Sequence, residues 1–121
     1  MKHAVVTAAL VGSFALLASC ESTSVPERFT GIWVGSPAAC GSGEDELILR
    51  IDSDRISYWE SGGPIEAVVV RGNEIALIAE LSGEGESWLA TAIYQLSDDG
   101  LRLVDDTTVP GASVVRHRCS E

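Results

Sequence analysis

From Phe29 onward the chain is a succession of short runs rich in β-branched, leucine and aromatic side chains. Each is cut off by Gly, Pro, Asp, Asn or Ser, and these turn residues recur roughly every eight to twelve positions. This spacing constrains the fold more than any other feature, because it leaves no window in which a helical period could build. The runs are Phe29–Gly35, Glu46–Ile51, Arg55–Glu60, Ile65–Arg71, Glu74–Leu81, Ser87–Leu96, Leu101–Asp105 and Ser113–Cys119. Between them lie Ser36–Gly43, Asp52-Ser53-Asp54, Ser61-Gly62-Gly63-Pro64, Gly72-Asn73, Ser82–Glu86, Ser97–Gly100 and Asp106–Ala112, all composed of residues that tolerate turn dihedrals.

Within the runs, alternation predicts half-buried strands. Leu47, Leu49 and Ile51 share one face against Ile48 and Arg50. Ile75, Leu77, Ala79 and Leu81 oppose Ala76, Ile78 and Glu80, and Trp88, Ala90, Ala92, Tyr94 and Leu96 oppose Leu89, Thr91, Ile93 and Gln95. Several runs are apolar on both faces, so part of the outer surface must be covered or sticky. Eight strands joined by hairpin-length turns predict an all-β fold, a small antiparallel eight-stranded up-and-down barrel. Closure would remove the exposed edges. A two-sheet sandwich is the alternative architecture. A barrel of this size holds its own side chains or one small ligand.

Ahead of the strands, Met1-Lys2-His3 is followed by an almost uncharged stretch from Ala4 to Ala18 and then by Leu17-Ala18-Ser19-Cys20. Basic, apolar and small-residue regions in that order read as a secretory signal, with an apolar part too short to span a bilayer as a mature helix. The last four residues resemble the lipobox of bacterial lipoproteins, and the alternative is an ordinary signal peptide cleaved nearby. The resemblance implies cleavage before Cys20, a fatty acyl lipid on that residue and attachment to a membrane of the cell envelope. Glu21, rather than Asp, is similar to the pattern that permits onward transport to an outer membrane where the cell has one. The expected organisation is 1–19 signal peptide, 20–28 lipid anchor and tether, and 29–121 barrel domain. Residues 21–27 are polar and aperiodic; fully extended they would reach about 23–25 Å.

Removal of the leader would leave 102 residues carrying seven Arg, no Lys and 18 acidic side chains, a net charge of −11. That balance repels nucleic acid and anionic headgroups and attracts cationic partners. With Cys20 assigned to lipid, Cys40 and Cys119 remain as an even pair in an oxidising setting, and a disulfide is expected. Two free thiols awaiting metal are the alternative, but no second His or Cys completes a site, so no metal or other cofactor is expected.

The sharpest candidate for function is Ser82-Gly83-Glu84-Gly85-Glu86 with Trp88 just beyond it. Two glycines flank an acidic tip beside an aromatic anchor, a composition suited to entering a cationic cleft and equally found in a plain hairpin loop. Gly31-Ile32-Trp33 resembles the Gly-x-Trp opening of lipocalins, in which the tryptophan plugs the barrel base. The alternative is a tryptophan packed in any β core. Glu60 shares strand parity with Ile56 and Tyr58, and His117 with Val115 and Cys119. Were those faces inward, Glu60 and His117 could form a buried acid–base pair; the alternative leaves Glu60 in water. Arg116 and Arg118, of the opposite parity, read with Arg102 on a neighbouring strand as surface cations available to salt-bridge the surplus carboxylates, which is decoration more often than a site. The pairs Asp52/Asp54, Asp98/Asp99 and Asp105/Asp106 fall in turns and lack the spacing of a calcium loop. With one mature His, no Lys, no nucleophile elbow, no His-Glu-x-x-His and no phosphate loop, the expectation is a non-enzyme.

Taken together, a small, acidic, exported, disulfide-closed β-barrel is similar to the membrane-bound and periplasmic inhibitors of c-type lysozyme. Ser82-Gly83, with an aromatic at Trp88, resembles the Ser-Gly…Tyr loop by which that family enters the enzyme's cleft. The family's lysine in the next hairpin has no counterpart in Ser97-Asp98-Asp99-Gly100. The resemblance implies a monomeric, non-catalytic binding module for a basic protein such as lysozyme. A carrier of a small apolar ligand near Trp33, or a structural envelope lipoprotein without a soluble partner, are the alternatives.

Overall fold

The computed structural model describes residues 22–107 and 113–120. Eight antiparallel strands form a closed barrel in which each pairs with its neighbour in sequence and the last returns to the first. They are β1 (Gly31–Val34), β2 (Leu49–Ile51), β3 (Arg55–Ser57), β4 (Gly62–Arg71), β5 (Glu74–Gly83), β6 (Glu86–Leu96), β7 (Arg102–Asp105) and β8 (Val114–Arg118). This is the up-and-down barrel expected from the spacing of turns. The β4–β5–β6 meander is long, and the other strands are short.

The core is the inner surface of the barrel. Phe29, Trp33, Leu49, Ile51, Ile56, Ile75, Tyr94 and Leu103 are fully buried. On β5 the expected face, Ile75, Leu77, Ala79 and Leu81, points in; on β6, Ala92, Tyr94 and Leu96 do so. β4 breaks simple alternation: a bulge between Ile65 and Ala67 puts both Ile65 and Val68 inside, although their numbers differ by an odd count.

Three local expectations change. First, β4 starts at Gly62, through the Gly-Gly-Pro stretch that reads as a break. Gly63 makes this possible, because a Cβ there would run into the Glu80 carbonyl of β5. Second, the tether is not free. Ser22 exchanges both backbone hydrogen bonds with Val68, Val25 donates to the Ser53 carbonyl at 2.7 Å and is buried, and Glu27–Phe29 forms a 3-10 turn that inserts Phe29 into the core. The reason is an open edge: β3 pairs with β4 only as far as Pro64, and Ser22 pairs with part of the remainder.

Third, the inward face of β8 is the opposite of the expected one. Arg116 lies opposite the fully buried Leu103 and is itself buried, whereas Val115 is 43% exposed. Its guanidinium pairs with Asp105 at 3.2 Å and donates through Nε to the Leu47 carbonyl at 2.7 Å. Asp105 also accepts from the Thr107 backbone N–H and hydroxyl. A charged side chain turns inward here because every polar atom it buries finds a partner.

Cys40 and Cys119 form the expected disulfide, with Cα atoms 5.6 Å apart and a sequence separation of 79. It ties the β1–β2 connection to the end of β8.

Candidate functional site

The tips of two hairpins meet at one end of the barrel. The β5 and β6 strands run further than the turn composition suggests, pairing Ser82 with Ser87 and Gly83 with Glu86. Only Glu84-Gly85 is left as a two-residue loop, with φ of 52° and 80° respectively. Positive φ at both positions matches the right-handed twist of the flanking strands, and glycine at the second makes it inexpensive. The Ser82 and Ser87 hydroxyls hydrogen bond to each other across the ladder at 3.0 Å.

The β3–β4 hairpin turns at Tyr58–Ser61, closed by a 2.6 Å bond from the Tyr58 N–H to the Ser61 carbonyl. Gly83 draws the two tips together: a Cβ there would lie 2.5 Å from the Glu60 carbonyl oxygen. Glu60, Ser61, Gly83, Glu84, Glu86 and Trp88 consequently line one recess of about 250 Å³. Glu60, Glu84 and Glu86 are exposed, and Trp88 is 42% exposed because its end of the hairpin extends past the packed core. Three carboxylates around an accessible indole make an acidic, aromatic-walled recess. It can accept charge-assisted hydrogen bonds from a guanidinium or ammonium while the ring supports the cation's apolar stem.

Glu60 therefore joins the acidic loop and not His117. His117 sits on β8 opposite Val34 and Arg102, on the outward parity, and no ion pair links it to Glu60. The buried acid–base pair is not formed, since Arg116 and not His117 takes the inward position. Trp59, exposed at the tip of the β3–β4 hairpin beside Glu60, was not singled out from sequence. Its position in an apolar run reads as strand, and only the turn at Tyr58–Ser61 puts it outside. Ser82 lies at the end of β5 and not in the turn expected for it, while Trp88 lies on β6 within the expected strand run. Cys20 lies outside the described residues.

The opposite end of the barrel is shut. Trp33 is fully buried, its indole N–H donates to the Phe29 carbonyl at 3.1 Å, and Arg118 covers the ring. A ligand mouth beside Trp33 is thus filled by the chain's own side chains. Inside the other end, the Tyr58 and Tyr94 hydroxyls share a 2.5 Å hydrogen bond. Burial pushes both phenols above their ordinary range, Tyr94 well above it, with the nearby Asp105 charge adding to the effect. Of the aspartates read as solvated turns, Asp99 is fully exposed; the Ser97 hydroxyl and Leu101 N–H bonded to it hold its carboxyl below the usual range. Among the described residues no cluster of His, Cys, Asp and Glu is arranged to hold a metal ion.

No protein-family model, curated protein or solved structure matches this chain.

Proposed function

We propose that this protein is a lipid-anchored, non-catalytic binding module of the bacterial envelope whose acidic hairpin tips engage a cationic protein. The recess that gathers Glu60, Glu84 and Glu86 around the exposed Trp88 carries the reading. These groups sit on two hairpins pinned together through Gly83, so little ordering entropy is lost when a partner docks. The surplus of negative charge over the whole chain steers a basic partner toward the recess and speeds encounter more than it deepens affinity. The indole supplies a rigid anchor of the kind that concentrates binding energy in a small contact.

A c-type lysozyme is the partner class to try first, in line with the resemblance of Ser82-Gly83 and Trp88 to that family's inhibitory loop. The test is inhibition and direct binding of lysozyme, at two ionic strengths, by the protein lacking only residues 1–20, which keeps the Ser22–Phe29 segment packed on the barrel. Binding that weakens with salt, and falls at least tenfold in Glu84→Gln/Glu86→Gln, supports the proposal. Equal binding by the neutralised variant, or no binding at low salt, overturns it.

A further inference from the structure

The outer face of the β4–β5–β6 meander is apolar where a solvated barrel would be polar. Val69 and Ala67 on β4, Ala76 and Ile78 on β5, and Ile93 and Leu89 on β6 all turn away from the core. Ile78 is 40% exposed, Ile93 37% and Leu89 70%. Most of these residues, with Thr91, line a shallow groove of about 410 Å³. The charged side chains at its borders include Glu66, Arg71, Glu74 and Glu80.

The path of the chain into the barrel points to what covers this face. Ser22 is paired directly with Val68, whose neighbours Ala67 and Val69 belong to the apolar face. Only one residue separates Ser22 from Cys20, and two peptide units span at most about 7 Å. A lipid on the Cys20 sulfur is therefore attached close to β4, within the roughly 12 Å set by two peptide units and one strand spacing. Because Ser22 to Phe29 are fastened to the barrel, no slack is left to lift the domain clear of the headgroups.

From this juxtaposition of an anchored strand edge and an adjacent apolar face, we propose that the outer surface of β4–β6 lies against the bilayer that holds the lipid. The inference rests on the lipid anchor at Cys20. An apolar face beside the anchor adds buried apolar area to the attachment and fixes how the domain is oriented on the bilayer. The acidic chain disfavours anionic headgroups, so the surface committed to here is zwitterionic. A second copy of the chain fits less well: six side chains fall far short of the roughly 20–30 residues a side of a stable protein interface. In this orientation the acidic recess, at the hairpin tips, stays at the edge of the buried face and open to a soluble partner.

The test uses full-length protein expressed in a lipidating bacterium and reconstituted into phosphatidylcholine vesicles, with acylation at Cys20 first established by mass spectrometry. An environment-sensitive fluorophore is placed at Ile78→Cys, and in a separate protein at Arg50→Cys, on β2 across the barrel. The label at 78 is expected to shift to the blue and to be quenched by nitroxide-bearing lipid, while the label at 50 stays as in water. Equal, water-like behaviour of both labels in acylated protein overturns the proposal while leaving the anchor standing. A shift at 78 that follows protein density on the vesicle, and not quenching by lipid, would assign the face to a second copy and overturn it as well. An unmodified Cys20 is a failure of the anchor itself, seen before any label is read, and the membrane face falls with it.

Discussion

The guanidinium of Arg118 lies over the indole of Trp33, 4.2 Å from the ring centroid, and donates hydrogen bonds to the carbonyls of Gly100, Thr30 and Arg28. One side chain from the last strand thereby closes a barrel end built from the first strand and its preceding turn. Trp33→Ala removes the largest buried side chain and is expected to cost about 3–5 kcal/mol. Arg118→Lys keeps the charge but cannot fork to several carbonyls, and is expected to cost about 1–3 kcal/mol. Urea unfolding of both variants checks this, the shift in midpoint giving the size.

Asp105 and Arg116 are expected to behave as a buried pair, their side chains being 18% and 7% exposed. Asp105→Ala strands the guanidinium beside the core and should cost about 3 kcal/mol. Asp105→Asn should cost less, because the amide oxygen still accepts from the Thr107 N–H. Denaturant midpoints that rank the two variants in the opposite order would remove Asp105 from this role.

The two tyrosines predict a loss of stability in alkali. Burial raises the Tyr58 and Tyr94 phenols above their unfolded value of about 10. The folded state therefore holds these protons more tightly than the unfolded chain does. That contribution is complete below about pH 10 and declines as pH rises beyond it toward the folded values. Thermal melts across this range should fall steeply for the wild type. Tyr58→Phe/Tyr94→Phe removes both hydroxyls together and should flatten the decline.

Reduction or removal of the Cys40–Cys119 bridge frees a loop spanning a sequence separation of 79. Chain-entropy reasoning sets the loss at up to about 4–5 kcal/mol. Cys40→Ser should lower the melting temperature strongly and abolish the response to reductant expected of the wild type. A melt unchanged by the substitution would mean that the bridge adds nothing to stability.

Much of the barrel is written in local patterns. Turn dihedrals at Gly72-Asn73 and Glu84-Gly85, and alternation along Ile75 to Leu81, depend on residues a few positions apart; strand number, hairpin order and the β5 face followed from them. The even pair Cys40 and Cys119 likewise points to one bridge, and the acidic tip ahead of Trp88 reads as a loop from its composition alone. The inward face of β8 was not legible in that way. Val115 and His117 look more suited to a core than Arg116 and Arg118, and only Asp105 on β7 and Trp33 on β1 reverse that choice. Glu60 reached the acidic recess, and Ser22 the edge of β4, for the same reason. Gly83 and the short reach of β3 create those contacts only after the sheet has closed. Propensity and turn chemistry act within a few residues, whereas the partner that makes a buried charge or an open strand edge tolerable can lie far along the chain, so tertiary structure alone decides it.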